Sequence, residues 1–234
     1  MTDLYLIRHA ESEANLAPHI ISGRSNHTLL SKRGKRQALA LRQRFKQEGI
    51  IFDEVYCSPA LRAIETTNLS LPQYIHARIC IADELQEIDQ GQWTGRVRTE
   101  VYTPEQLMRI NSDNWNFAAP GGESQSDVGK RMYNLTQKVI TKEQNTNNVK
   151  AFFTHGVAIK CLLSILLNSD RTMAWRWNIE NTSITQMKYE KGTWWPVRIN
   201  DYAHIFTLGS TPEPMHLFRI GKNSVQTDYQ PLCP

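Results

Sequence analysis

Three short segments of this 234-residue chain bring together residue types that do chemistry jointly. Arg8-His9-Ala10-Glu11-Ser12, with Asn15 further on, follows the apolar run Leu4-Tyr5-Leu6-Ile7. Ser58-Pro59-Ala60-Leu61-Arg62 follows Glu54-Val55-Tyr56-Cys57, and Thr154-His155-Gly156 follows Val149 to Phe153. Two arginines and two histidines are thus delivered from the ends of three separate predicted strands. Planar guanidinium forks match phosphate oxygens, and a helix beginning after His155 adds backbone donors and the positive end of its dipole. Such an assembly is an anion pocket whose natural occupant is a phosphoryl group. A neutral imidazole inside it keeps one nitrogen lone pair for attack, while a hydrogen bond at the other nitrogen fixes the tautomer. Surrounding cations favour that neutral form. The leaving oxygen also needs a proton, and acidic candidates cluster after a further strand in Glu84-Leu85-Gln86-Glu87-Ile88-Asp89. A carboxyl group beside a dianionic phosphate holds a proton more readily, which suits a general acid. The spacing leaves Glu84, Glu87 and Asp89 all open for that role.

Taken singly, each feature has a plainer reading. An Arg-His pair after a strand is common, a lone histidine before a helix is most often a core or capping group, and Arg62 alone would be a solvated helix residue. The joint pattern carries the inference, because each member sits at the end of a different strand. The other histidines (His19, His27, His76, His204 and His216) show no His-x-His or His-Glu-x-x-His spacing, so neither metal catalysis nor a cofactor is expected.

The elements that must position these residues follow from periodicity. Leu4 to Ile7 reads as a buried strand. Ser31 reads as the N-cap of a helix from about Lys32 to Glu48 that ends at Gly49. A strand at Glu54–Cys57 leads to a helix from Pro59 onward, and Arg78 to Ile81 is a short strand. A helix is predicted from Glu123 to Lys142, with Val128, Met132, Leu135 and Val139 on one face. A strand at Val149–Phe153 is followed by a strongly apolar helix, Val157 to Leu167. Ser183–Tyr189 and Trp194–Ile199 flank Lys191-Gly192 as a hairpin. Strands alternating with helices predict an α/β protein with a mainly parallel sheet and helices on both faces. Residues 91–122, rich in Trp, Arg, Asn and Pro, break the pattern and read as a small lobe. Residues 205–234 read as an extended C-terminal tail. One domain is expected, over residues 1–204. In an open α/β sheet, ligands sit beyond the carboxyl ends of the strands, where all the candidates fall.

Composition excludes other classes. With 27 basic and 23 acidic side chains the net charge is +4, dispersed and without the basic stripe that nucleic acid requires. The densest apolar run, Cys161 to Leu167, is far short of the roughly 18–20 residues of a membrane span. Met1-Thr2-Asp3 lacks a basic region and leads into a strand, not a signal peptide. Cys57, Cys80, Cys161 and Cys233 form no Cys-x-x-Cys pair and read as reduced thiols, so a cytoplasmic protein is expected. The partner expected is a small phosphorylated substrate or phosphate itself, with neither nucleic acid nor membrane. A homodimer through an edge strand or the tail from Ile205 stays open.

The motifs, taken in order, resemble a known family. Arg8-His9-Ala10-Glu11-Ser12 with Asn15 resembles the Arg-His-Gly-Glu signature of the histidine phosphatase superfamily, the phosphoglycerate mutase-like proteins. Gly23, beside Ser22, and Leu30-Ser31-x-x-Gly34-x-x-Gln37-Ala38 are similar to its next segment. Ser58-Pro59-x-x-Arg62-Ala63-x-x-Thr66 is similar to its second arginine motif. Leu85-x-Glu87 with Gly91-x-Trp93-x-Gly95 resembles its acid/base motif. Gly121-Gly122-Glu123-Ser124, His155-Gly156, Asn181-Thr182-Ser183 and Asn200-x-x-x-His204 complete a resemblance spanning residues 4 to 204.

The resemblance implies His9 as a phosphorylated nucleophile, with Arg8, Arg62 and His155 on the phosphoryl group. Asn15, Ser22, Gly23 and Gly156 would be supporting substrate-binding residues. It selects Glu87 among the acidic candidates as general acid and base. It implies a three-layer α/β/α sandwich with a mainly parallel mixed sheet, and no metal. The expected activity is that of a metal-independent phosphatase of the phosphatase branch. Phosphoglycerate mutase-type transfer, or a weakly active phospho-ligand-binding module, are the alternatives. Mutases of the family usually carry a longer insertion after the acid/base motif, so the short segment after Gly91-Gln92-Trp93-Thr94-Gly95 favours hydrolysis. Ala10 stands where the family has glycine and is expected to add a methyl close to the phosphate. Arg96, Arg98 and Arg109 of the lobe are candidates to attract a polyanionic substrate, or are solvated surface. Trp93 and Trp115 either line the mouth or pack the lobe.

Overall fold

The computed structural model describes residues 1–71, 79–141 and 148–208. Its strands are β1 (Thr2–Arg8), β2 (Glu54–Cys57), β3 (Ile79–Ile81), β4 (Asn148–Thr154), β5 (Ile184–Glu190) and β6 (Thr193–Asp201). Its α-helices are α1 (Lys32–Gln47), α2 (Leu61–Ser70), α3 (Arg98–Val101), α4 (Pro104–Ser112), α5 (Gln125–Thr141) and α6 (Gly156–Leu166). Every element read from periodicity is found within a residue or two. Arg78 and Lys142, the predicted ends of the third strand and the long helix, lie outside the described residues.

The six strands form one sheet in the order β3-β2-β4-β1-β5-β6. The first four are mutually parallel, and β5 and β6 are antiparallel additions. Two cores explain the three layers. Along β1, Leu4 and Leu6 join Phe152 of β4 in a cluster with Met132 of α5 and Ile159 and Leu162 of α6. Tyr5 and Ile7 join Phe153 in a second cluster with Leu41 and Phe45 of α1. Successive side chains point to opposite faces, and since helices cover both faces the central strands read as unbroken apolar runs rather than alternating ones. The α/β/α sandwich is thus written into β1 and β4.

Local chemistry ends the elements where expected. The Ser31 hydroxyl accepts from the Gly34 N–H at 2.9 Å and starts α1. Lys191 and Gly192 both have positive φ, 50° and 81°, as a two-residue hairpin turn between β5 and β6 requires. The lobe over residues 91–122 holds α3, α4 and a small core of its own, in which Ile21, Trp93, Val101 and Ala119 are buried. A 3-10 segment, Ala203–Leu208, buries Ile205 across the predicted start of the tail; residues 209–234 lie outside the described part. Among the described residues no helix is long and apolar enough to cross a membrane, and Cys57, Cys80 and Cys161 are free thiols.

Candidate active site

Register places the chemistry. Arg8 pairs with Thr154, and Cys57 with Phe153, at the carboxyl edge of the parallel strands. The chain then leaves each strand one residue later, so His9, Ser58 and His155 emerge side by side. Two backbone bonds lock the exits: His9 N–H to the Thr154 carbonyl at 2.9 Å, and Ser58 N–H to the Phe153 carbonyl at 3.0 Å. Arg62 reaches the same place from the first turn of α2.

The four groups form one network. His9 Nδ1 lies 2.7 Å from the Ala10 carbonyl, which can only accept, so this nitrogen carries the proton and Nε2 keeps its lone pair. Arg62 Nε donates to that Nε2 at 3.3 Å. Arg62 Nη2 donates to His155 Nδ1 at 3.2 Å, and Nη1 donates to the Ser25 carbonyl at 2.5 Å and the Thr28 hydroxyl at 3.2 Å. His155, an acceptor at Nδ1, is left with its proton at Nε2, 2.8 Å from Ser58 Oγ. The two imidazole rings meet at an angle with centroids 5.1 Å apart. Arg8 Nη1 donates to the Ile179 carbonyl at 2.6 Å, while its buried Nε has no acceptor among the described residues.

Electrostatics follow from this crowding of cations in a dry place. Burial, then the guanidiniums of Arg62 and Arg8, push the His9 pKa well below the ordinary histidine value, against a smaller opposing effect of the Ala10 carbonyl. Burial and the Arg62 charge do the same to His155. Burial also lowers the Arg62 pKa, to about 10. Both histidines are therefore neutral at pH 7, as the surrounding charges lead one to expect.

Glu87 faces the same cleft, which has a volume of about 140 Å³ and is walled also by Arg8, His9, Asn15, Ser22, Gly23 and Arg62. Its carboxylate accepts from Val157 N–H at 3.3 Å, Ala158 N–H at 3.2 Å and its neighbour Ile88 N–H at 2.9 Å. The start of α6 was expected to offer its donors to the phosphate. Two of them instead hold the carboxylate in place at the positive end of the helix, where an anion is favoured. The other acidic candidates are occupied elsewhere: Glu84 pairs with Lys138 at 3.7 Å, and Asp89 pairs with Arg24 at 3.7 Å and accepts from Gly91 N–H at 2.7 Å.

The remaining predicted residues take distinct places. Asn15 Oδ1 accepts from Ser12 N–H and Ser12 Oγ–H, tying down the loop after His9. The Ser22 carbonyl accepts from Ser25 N–H at 3.0 Å, which shapes the turn under Arg62. His155 is fully buried behind Arg62 rather than on the cleft wall, and Gly156 lies beside Arg8 Nε. Ala10 differs from expectation. It is fully buried against Leu30 and Ala38, so its methyl points into a small core and not toward the phosphate site. Glu11 is structural as well: it accepts from Ser31 Oγ at 2.6 Å and pairs with Arg33 at 3.2 Å. Gly34 passes so close that a Cβ there would sit 1.9 Å from the Glu11 carbonyl oxygen. Trp93 is buried in the lobe, whereas Trp115 belongs to the main core. Of the lobe arginines only Arg98 reaches the cleft, with Nε bound to the Pro18 carbonyl at 2.7 Å; Arg96 and Arg109 are exposed.

Residue types alone did not reveal several participants. Gln90, Tyr102 and Trp175 wall the cleft but belong to no strand-end motif. Asn181 Nδ2 donates to the His9 carbonyl at 2.9 Å, and Thr182 N–H donates to the Arg8 carbonyl at 3.0 Å. Thr182 holds a positive φ of 59°, unusual for a β-branched residue, and His204 Nε2 lies 3.0 Å from its hydroxyl. The Asn181-Thr182-Ser183 and His204 motifs thus clamp the Arg8-His9 backbone from behind.

A buried histidine with an unprotonated Nε2, ringed by two arginines and a second histidine at a parallel-sheet edge, defines a phosphoryl-transfer site of the histidine phosphatase type. The chain belongs to the histidine phosphatase superfamily (branch 1), whose model matches residues 4–202, and it is a phosphoric monoester hydrolase by class. It is 29% identical to phosphoserine phosphatase 1 of Hydrogenobacter thermophilus over 88% of this chain and 95% of that one. It is 26% identical to a probable phosphoglycerate mutase, GpmB, of Proteus mirabilis over 97% and 100% of the two chains. Among solved structures, phosphoserine phosphatase from Entamoeba histolytica in complex with 3-phosphoglyceric acid superposes with a TM-score of 0.75. That match has 27% identity and covers 88% of this chain and all of the other.

Proposed function

We propose that this protein hydrolyses phosphomonoesters in two steps through a phosphohistidine on His9 Nε2. The observation that carries the reading is the tautomer: with its proton held on Nδ1 by the Ala10 carbonyl, His9 turns a lone pair toward Arg62, among groups suited to phosphoryl oxygens. In the first step Nε2 attacks phosphorus and the ester P–O bond breaks. The leaving oxygen takes a proton from Glu87, and the Arg8 and Arg62 guanidiniums stabilise the charge on the transferring group. In the second step Glu87 takes a proton from water, whose oxygen attacks phosphorus. The P–N bond breaks, and phosphate leaves with His9 neutral and with the proton that Glu87 gave to the leaving oxygen replaced by the one it took from water. Asn181 and Thr182 hold the His9 backbone, and Ser58 orients His155.

The test is hydrolysis of an aryl phosphate in the presence of chelator by the wild type and His9→Ala, with alkaline detergent quenching of labelled substrate. An acid-labile, base-stable phosphoprotein that the variant does not form is the expected result. No turnover by the wild type between about pH 5 and 8 would overturn the reading. Transfer of the phosphoryl group between positions of a phosphoglycerate, faster than its release as phosphate, would instead favour a mutase.

A further inference from the structure

The catalytic cleft does not end at the phosphoryl site. Ile88, Gln90, Tyr102 and Trp175 wall it on one side and on the other side wall a second cavity of about 80 Å³. That annex reaches into the lobe, where Trp93 stacks on Phe117 at 5.7 Å and meets Tyr102 edge-on at 5.7 Å. From α4, Leu107 and Ile110 face it and are only half buried, because they border this space rather than a filled core. Among the described residues, no lysine or arginine belongs to its walls. Its one charged wall residue, Glu123, is neutralised by Arg24 at 2.7 Å and Arg131 at 3.0 Å.

We infer that the annex is the subsite for the leaving group, and that the substrates are phosphomonoesters whose alcohol carries an aromatic or compact apolar group next to the phosphate-bearing carbon. This rests on the phosphatase reading above. A carboxylate in the annex would face the Glu123 carboxylate and could take hydrogen bonds only from the neutral amides of Gln90, Asn111, Asn114 and Gln125, with no wall cation to pair with, which is unfavourable. An apolar ring would instead remove its own surface and that of four aromatic walls from water. The annex has about half the 150 Å³ that encloses a benzene ring, so a single ring enters it by about half and the rest stays in the cleft. The same physics separates the two ends of the substrate: the arginines Arg8, Arg62 and Arg98 line the cleft, and none lines the annex.

Binding and turnover test the two readings separately. Phosphonates keep the anionic head and cannot be hydrolysed at phosphorus, so 2-phenylethylphosphonate, ethylphosphonate and 2-carboxyethylphosphonate are titrated calorimetrically into the full chain. The phenyl compound is expected to bind about 10- to 100-fold tighter than the ethyl one, and the carboxyethyl compound no tighter. Ile110→Lys and, independently, Leu107→Lys should cut the phenyl advantage to about 3-fold or less and improve carboxyethyl binding. Equal binding of phenyl and ethyl compounds by the wild type overturns the inference, as does a phenyl advantage that survives both lysine variants. A phenyl advantage in a protein that hydrolyses no phosphate ester would leave the subsite standing and sink the phosphatase reading. Rapid hydrolysis without any phenyl preference would do the reverse.

Discussion

The neutral histidines of the site make the fold sensitive to mild acid. His9 and His155 are held neutral by burial and neighbouring guanidiniums, and burial lowers His204 to about 4. In the unfolded chain each titrates near 6.5. A base whose folded pKa is depressed binds fewer protons in the fold, so stability is full above the unfolded value and falls as pH drops below it. Between pH 7 and 5, a histidine going from mostly neutral to almost fully protonated in the unfolded chain, yet neutral in the fold, costs about 2 kcal/mol. His204, at about 4, contributes about that much, and the lowered His9 and His155 add to the loss in the same direction. Depressed carboxylates such as Glu48 and Asp127 act at lower pH, through the unfolded carboxylate range, and leave this window to the histidines. Urea unfolding in non-phosphate buffers at pH 7, 6 and 5 should show the midpoint falling steeply at constant m. His204→Gln lowers the starting stability by breaking the Thr182 contact, but should shrink the pH 7-to-5 loss by about 2 kcal/mol. A midpoint that is flat between pH 7 and 5, or a loss unchanged in His204→Gln, would refute the reasoning.

Three further outcomes follow from particular contacts. Arg62→Lys keeps the charge but cannot span His9, His155 and Ser25 at once, so kcat/KM should fall about 10²- to 10³-fold in protein that a urea titration shows to be folded under the assay conditions. Glu87→Gln should reduce turnover of an alkyl phosphate about 10²- to 10⁴-fold. A nitrophenyl ester, which needs no proton to leave, should still give a burst of nitrophenol as the phosphoenzyme forms; loss of that burst would contradict the assignment. Thr182→Gly should be more stable than Thr182→Ala by about 1 kcal/mol, since both lose the His204 contact but only glycine is relaxed at φ 59°; equal thermal midpoints would show the clamp to be unstrained.

Much of this architecture is legible in one dimension, for local reasons. Buried parallel strands have no polar alternation, so Leu4–Ile7 and Val149–Phe153 stand out as apolar runs. The 3.6-residue spacing of Val128, Met132, Leu135 and Val139 marks the buried face of α5, and all four are buried. The lobe was readable only as a break in the pattern. Its helices are short and its core small, so no period has room to develop; Tyr102 and Trp175, which join cleft to annex, are far apart in sequence and share no motif.

The sequence by itself determined which residue types end the strands, and hence that Arg8, His9, Arg62 and His155 would share one sheet edge. That follows because β1, β2 and β4 are parallel, so all three bring their carboxyl ends, and the residues that follow them, to the same edge of the sheet. Three things were decided only in three dimensions. The first donors of α6 hold Glu87 rather than phosphate, the Ala10 methyl turns into a core, and the cleft opens into an aromatic annex. Each depends on which of several competing groups arrives at a shared point in space. Spacing along a chain sets the direction of a side chain, but the partner that meets it is set by the packing of elements distant in sequence.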